Sequence, residues 1–520
     1  MAEIVLINPR FEVSYWGCEH ALPLFGKRAN VPTACLPLLA ALTPAPHRVT
    51  LIDENVEPID YERVARADLV GLTGMTVQRR RMREILAELR SRGVFTVVGG
   101  PWVTVHEHYF GDLADVIFIG EAEETWPRFL DEWADGRHTQ RYEQSDRTDM
   151  TTVPTPRYDL LKMRHYMFGS VQFSRGCPFQ CEFCDIIVTF GRRPRLKTSQ
   201  QVLAELDALT AEGQEIAFVV DDNLIGNKRA IKQLLAEVIA WQQRRGYPLT
   251  FFTEASLDLA EDQELMRLMV DANIQTVFVG IESPNEASLI ETKKLQNVRK
   301  GGTLVEKVRI IQDAGLDVWC GMILGFDHDD ETVFDAHRNF LEQANILQAM
   351  VGMLSAIPTT PLYDRLRDEG RLDLDDEPAF GTNVIPLRLT REALRDGYLR
   401  LMQQLYEPRA YFDRLDALFI ERGFRFGQTR GRYWRRHPLS GLKAQGLTMA
   451  RCLGLYARLM RNVPEAELRD EYRRRIRGLL RVRRDPGVLF VYLIKCAVHY
   501  HCYTMTRNMA QQRTPIVNTM

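Results

Sequence analysis

Cysteine is scarce, nine in 520 residues, too few for a secreted disulfide framework. No sign of charge dominates. Lys and Arg number 67 against 69 Asp and Glu, a net of -2, so no global excess points to a nucleic-acid partner. No apolar run is long. Residues Val488–Val498 contain Lys495 and fall far short of the roughly 20 residues that cross a bilayer. The opening run Ile4–Ile7 ends at Asn8-Pro9-Arg10 and does not read as a secretory leader. These absences point to a cytoplasmic chain with reduced thiols and no spanning helix. What is present is ordinary globular material, 45% apolar and 26% charged. That excludes a mainly disordered or collagen-like chain, and the length suggests roughly three or four domains.

The balanced total hides an asymmetry. From Arg391 onward there are 26 Lys and Arg but 11 Asp and Glu, about +15, leaving about -17 for the rest. A basic end on an acidic body suits an anionic membrane or nucleic acid, and equally an Arg-rich helical region with solvated faces. Aromatic residues are too sparse there for single-strand stacking platforms, so nucleic acid is not expected.

Five short apolar runs open the chain: Ile4–Asn8, Val49–Asp53, Leu69–Thr73, Thr96–Gly99 and Val116–Ile119. Between them lie helical stretches such as Gln78–Arg92, with Met82, Ile85, Leu86 and Leu89 on one face. The alternation predicts a doubly wound, Rossmann-like parallel sheet over residues 1–150, with ligands outside the carboxyl ends of its strands. Gly99-Gly100-Pro101-Trp102 and Gly120-Glu121-Ala122-Glu123 fall at such ends. Neither GxGxxG nor GxxxxGK[ST] occurs at these ends, so a nucleotide phosphate cradle is missing. Phe11–Pro37 is a long insertion of the kind that often carries function.

The most specific signal is Cys177-Pro178-Phe179-Gln180-Cys181-Glu182-Phe183-Cys184, a C-x₃-C-x₂-C loop. Three thiolates this close can converge on one soft metal centre. A structural zinc site needs a fourth ligand, and the next His along the chain is His328. A [4Fe–4S] cluster on three thiolates keeps one iron open. A zinc site completed from afar is the alternative.

This loop, with aromatic Phe183 before the last cysteine, resembles the radical S-adenosylmethionine (SAM) superfamily. The resemblance implies that Cys177, Cys181 and Cys184 ligate the cluster. SAM would chelate the open iron and be cleaved by one electron to a hydrogen-abstracting radical. An electron donor such as flavodoxin or ferredoxin is then implied.

Six further strand candidates follow: Gly169–Phe173, Ile216–Val220, Leu249–Thr253, Thr276–Gly280, Leu316–Ile323 and Met350–Ala356. With helical stretches between them they predict a partial (βα)6 barrel over residues 160–365, its chemistry at the strands' carboxyl ends. By resemblance, Gly280-Ile281-Glu282-Ser283 places Glu282 near the SAM ribose or amino group, and Gly321–Gly325 packs on the adenine. Asp222 and Glu254 end their strands as candidate SAM contacts, and Phe183 accompanies the cofactor. Each carboxylate could instead cap the next helix.

A Rossmann-like domain before such a barrel resembles the cobalamin-binding subclass of radical SAM enzymes. Gly99, Gly100 and Trp102 are the cobalamin contacts this implies. The chain departs from many cobalamin proteins in one respect: Asn8-Pro9-Arg10-Phe11-Glu12 replaces the Asp-x-His-x-x-Gly motif. Trp102 also stands where relatives often carry His. Cobalamin is therefore expected without a protein imidazole on its lower face. Residues 370–520 read as a helical, basic domain, with Leu394, Tyr398, Leu401 and Leu405 on one face. Together with Gly381–Pro386 this region resembles the extension of hopanoid 2-methyltransferases. The expected activity is C-methylation of a hopanoid-type lipid by SAM, a [4Fe–4S] cluster and cobalamin, with peripheral contact at the inner membrane surface. A different radical SAM reaction on a small molecule, or an iron–sulfur sensor, are the alternatives.

Overall fold

The structure is a computed structural model that describes residues 1–298 and 302–516. Its first sheet holds β1 (Glu3–Asn8), β2 (Arg48–Asp53), β3 (Leu69–Thr73), β4 (Thr96–Gly99), β5 (Val116–Ile119) and β6 (Arg141–Glu143). All neighbours run parallel, in the order β2-β1-β3-β4-β5-β6. Their apolar runs are continuous because both faces are covered. Val5 and Ile7 meet Met82, Ile85 and Leu86 of the helix Arg79–Ser91, whereas Ile4 and Leu6 join the core of Trp126 and Phe129 on the other side. The five expected strands are all present. Strand β6 gave no sequence signal because only Tyr142 of its Arg-Tyr-Glu is buried, as befits an edge. The order in which strands are added reverses between β1 and β3, which makes their carboxyl ends the switch point where such sheets take ligands.

The second sheet is formed by β7 (Gly169–Val171), β10 (Ile216–Val219), β11 (Thr250–Glu254), β12 (Ile274–Glu282), β13 (Asp317–Leu324) and β14 (Ala349–Met353). They pair in chain order and in parallel, and among the described residues β7 and β14 do not pair with each other. The result is the open six-stranded barrel expected from the spacing. A small antiparallel ribbon, β8 (Ser174–Arg175) and β9 (Arg195–Leu196), brackets the cysteine loop.

The helices after β14 share the barrel's core. Leu394, Leu401 and Leu405 of the helix Arg391–Leu405 join Val351 and Met353 in one apolar cluster. Tyr406 donates to the Ala349 carbonyl at 3.0 Å, and Lys495 Nζ to Asp317 and Gln348 at 2.7 Å each. The Arg-dense helix Ala466–Val482 is partly neutralised, with Arg475 paired to Asp413, Asp416 and Glu471. The insertion 11–37 is likewise built in: Tyr15 is buried, and Trp16 packs on Phe278 at 5.1 Å.

The tail histidines are core groups. His501 lies in the helix Pro486–Ala510 and ties it to that insertion. Its Nδ1 accepts from His20 N–H at 3.3 Å, and its Nε2 faces the Ser14 carbonyl at 2.9 Å. Only the neutral ring with the proton on Nε2 satisfies both contacts. Burial pushes its pKa down to about 3. The unfolded chain thus binds a proton that the folded one refuses between about pH 6.5 and 3, so this stability is present above that window and lost as pH falls through it. His501→Gln keeps a donor and an acceptor. We expect the wild type to lose stability to the variant by about 1.4 kcal/mol per pH unit below about pH 6. Urea melts at pH 7.5, 5.5 and 5.0 check this, and parallel acid limbs would contradict it.

Candidate active site

The cysteine loop leaves the carboxyl end of β7 and is held from three directions. Asp221, at the end of β10, accepts from Phe173 N–H and Ser174 N–H at 2.7 and 2.8 Å, and from the Ser174 hydroxyl at 2.6 Å. Asp222 takes the Gly176 N–H at 2.7 Å. Gly176 has φ +97°, and a Cβ there would come within 2.8 Å of the Gly191 carbonyl, so the turn into Cys177 requires glycine. From the Rossmann side, Glu121 and Glu123 grip Arg175 at 2.8 and 2.6 Å, and Arg195 adds a 3.0 Å contact to Glu121. On the far side Glu182, between two of the cysteines, accepts from Arg365 at 2.7 Å, and Arg365 also binds Asp327.

Cys177, Cys181 and Cys184 are electrostatic neighbours on this loop. Burial pushes the Cys177 and Cys184 thiols up, and Cys181 raises both further. Nearby N–H groups point at sulfur: Gln296 Nε2 to Cys181 at 3.5 Å, and Asn223 Nδ2 to Cys177 at 4.0 Å. Among the described residues no three Cys, His, Asp or Glu side chains already converge at metal-ligating distance. The donor set nonetheless suits an iron–sulfur cluster, being three sulfurs, amide donors directed at them and the Lys294 ammonium alongside.

Facing the loop is an acidic pocket with one cation. Glu282 terminates β12 past a register shift and sits at φ +64°, which turns its carboxylate back over the strand. It pairs there with Lys294 Nζ at 2.7 Å. A Cβ on Gly280 would lie 2.2 Å from the Glu282 carboxylate and 2.7 Å from Lys294 Nζ, so a larger residue there would displace this ion pair. Glu254 ends β11 in the same pocket. Burial, then the charge of Asp222, pushes it up to about 8, and Lys294 holds it back. Burial likewise raises Asp222 to about 6 and Asp221 to about 7. Among the described residues buried Gln296 Oε1 and Asn297 Oδ1 have no hydrogen-bond partner. Unpaired acceptors, acids and a lysine beside the thiols suit a charged, polar, amine-bearing ligand such as SAM. Phe183 packs near Phe326 at 6.2 Å, with Lys294 over its ring.

At the Rossmann crevice, Asn8 Nδ2, Trp102 Nε1 and Thr125 Oγ1 are buried without hydrogen-bond partners among the described residues, at or just beyond the ends of β1, β4 and β5. Such unsatisfied polar groups suit a ligand rich in amides, as cobalamin is. Gly100 packs against the neighbouring strand end, where a Cβ would lie 2.4 Å from Thr73 Oγ1, and Gly99 lies over Phe118. Trp102 is buried against His106 and Tyr109, with Arg79 over its ring.

The sequence pattern had singled out Cys177, Cys181, Cys184, Asp222, Glu254 and Glu282, and the fold brings all six to one mouth. It had missed Lys294, Gln296 and Asn297, which follow the strand on a turn and the short helix Leu295–Val298. A lone lysine in a polar segment carries no periodic signal. In the sequence alone Glu121 and Glu123 read only as part of a strand-end motif. Their burial on Arg175 makes them the clasp between the two sheets.

Comparison with known proteins agrees with this layout. A B12 binding domain matches residues 30–130, the radical SAM superfamily matches 171–341, and a domain of unknown function matches 360–514. The chain is 38% identical over 504 residues to an uncharacterized methyltransferase, sll1242, of Synechocystis, covering 96% of this chain and 90% of the relative. It is 34% identical over 419 residues to hopanoid C-2 methylase of Rhodopseudomonas palustris, covering 79% and 78%. In fold it resembles the cobalamin-dependent SAM radical enzyme OxsB, at TM-score 0.61 and 14% identity, across 99% of this chain and 81% of that one.

Proposed function

The chain belongs to the B12-binding radical SAM methyltransferases, which act with SAM, a [4Fe–4S] cluster and cobalamin, and on that premise we propose that it methylates an unactivated carbon of a flat, apolar, polycyclic lipid of the hopanoid type. The observation that carries the substrate class is the inner face of the barrel. Phe218, Phe252, Phe278 and Trp319 point to the same side of the sheet as Glu254, because the strands pair in register at Phe218–Phe252, Glu254–Phe278 and Phe278–Trp319. The rings converge: Phe218 stacks on Phe252 at 4.6 Å, and Phe168 and Trp319 approach Phe252 at 4.9 and 5.9 Å. Trp16 closes over Phe278 from the insertion. Phe168, Phe218, Phe278, Trp319 and Trp16 stay half-buried. This aromatic floor lies beneath the acidic pocket and offers a fused hydrocarbon ring system apolar contact on its face.

In this reading Cys177, Cys181 and Cys184 hold the cluster, Asp222, Glu254, Glu282 and Lys294 surround SAM, and Phe183 lines that pocket. The ends of β1, β3, β4 and β5, with Gly99, Gly100 and Trp102, flank cobalamin without a protein imidazole. When bound, these groups supply a one-electron route to hydrogen abstraction and a transferable methyl group. A small redox protein delivers the electron. The protein's own residues orient these partners, keep the carboxylates protonated or paired, and cover the site from water.

The test is anaerobic reconstitution with SAM, cobalamin, a reductant and pentacyclic hopenes. A product heavier by one methylene supports the proposal. Phe218→Ala and Phe278→Ala are expected to cut that product at least tenfold, because each removes roughly 2 kcal/mol or more of apolar contact, while 5′-deoxyadenosine release persists. Methylation of other polycycles but never of hopenes would refute the lipid assignment.

A further inference from the structure

The helix Pro438–Asn462 has two apolar faces. The inner one, with Gly441, Cys452, Leu455 and Leu459 buried, packs against the helix Pro486–Ala510 and the short helix Leu22–Phe25. The outer one runs Leu439, Leu442, Gly446, Met449 and Leu453, at i, i+3, i+7, i+10 and i+14, a single stripe. Among the described residues little covers it: Leu439 is 86% exposed, Leu442 73%, Leu453 65% and Met449 38%. Core packing explains the inner face and leaves the outer one unaccounted for.

The charge around the stripe is of one sign. From Arg422 to Asn462 there are nine Arg and one Lys, and no Asp or Glu. Arg422, Arg432 and Arg451 reach acids elsewhere in the fold, namely Asp313, Asp271 and Glu215. Among the described residues Arg435, Arg436 and Lys443, exposed beside the stripe, have no ion pair. Among the described residues no helix is long and apolar enough to cross a membrane.

We propose that this face docks the protein on the surface of an anionic lipid bilayer, with the Leu439–Leu453 stripe at the acyl boundary and Arg435, Arg436 and Lys443 on the headgroups. An amphipathic helix with leucines on one side and cations beside them suits the water–lipid interface. A second copy of the chain fits poorly, since a symmetric contact would set these cations against their own duplicates. Nucleic acid leaves the leucines without a role. The surface belongs to the amino ends of the barrel strands, because Glu215 directly precedes β10 and Asp271 ends the helix that leads into β12. It is thus the pole opposite the cysteine loop, and it stands independently of which molecule is methylated.

Sedimentation with vesicles of phosphatidylcholine, alone or mixed with phosphatidylglycerol, tests the proposal on the full reconstituted chain. We expect the wild type to bind the anionic vesicles at least about tenfold better than the neutral ones, and to release them as salt rises. Leu439→Asp/Leu442→Asp/Leu453→Asp and, separately, Arg435→Glu/Arg436→Glu should each abolish that preference. Iron content and SAM cleavage should be unchanged, which shows that the variants fold. Equal binding to both vesicles, no binding by the wild type, or undiminished binding by the variants overturns it. So does a dimer, seen by light scattering, that the leucine variant dissociates.

Discussion

Replacing Cys177, Cys181 and Cys184 together by alanine is expected to take the anaerobically purified protein from about four irons per chain to background, and to end SAM cleavage and methyl transfer alike. The expectation is specific because the loop does not depend on its sulfurs for its shape. Asp221 and Asp222 hold its backbone N–H groups, Glu121 and Glu123 hold Arg175, and Arg365 holds Glu182. With those anchors intact the variant should melt close to the wild type, so loss of activity would report the cluster and not the fold. Removing the metal from the wild type with a chelator under reducing conditions should give the same phenotype, reversed by iron and sulfide. Iron and sulfide content, the visible absorbance band and 5′-deoxyadenosine yield are the measurements. Iron and turnover that survive the triple replacement would show that the cysteine loop does not carry the chemistry.

Arg175→Ala should produce the largest loss of stability from any single substitution discussed for this protein. The Arg175 side chain is 10% exposed and its partners Glu121 and Glu123 are 2% and 10% exposed. Burial alone would raise Glu123, and Arg175 more than offsets it, holding the carboxyl below its usual range. Arg195 would still hold Glu121, so Glu123 is the carboxylate left without a cation, keeping the Thr148 hydroxyl at 3.1 Å. Breaking a buried pair by removing one partner costs roughly 3–5 kcal/mol. The paired Glu123 stabilises the native state above the carboxylate range, and that contribution is lost as pH falls through the depressed pKa. In the variant Glu123 is cheaper to bury once protonated. The gap between the two proteins should therefore be widest near pH 7.5 and narrow toward pH 5. Adding Glu123→Gln to Arg175→Ala should recover much of the loss, since a neutral amide is cheaper to bury than an unpaired charge.

The same substitution has a functional side. Arg175 lies two residues before Cys177 and is the point at which the Rossmann sheet grips the cluster loop. Loosening it should depress methylated product more than 5′-deoxyadenosine, because methyl transfer needs both domains in register whereas SAM cleavage needs only the barrel. Urea melts across pH and the ratio of the two products decide the matter. An Arg175→Ala protein within 1 kcal/mol of the wild type, with an unchanged product ratio, would reduce the clasp to an ordinary surface pair.

What the amino-acid sequence determined by itself was whatever is written over a few adjacent residues. The C-x₃-C-x₂-C spacing of Cys177, Cys181 and Cys184, the unbroken apolar strands of both sheets and the strand ends bearing Asp222, Glu254 and Glu282 are local patterns, and they were legible without coordinates. The tertiary structure decided what the polar residues are for. Arg175 meets Glu121 across 54 positions, Lys294 meets Glu282 across 12, and His501 reaches Ser14 across 487. A charge acquires its role from burial and from its partner, and both are set by chain closures that leave no periodic trace. The outer leucines of Pro438–Asn462 show the converse: helical spacing alone announces an apolar face, and only the packed fold reveals that the described residues leave it exposed.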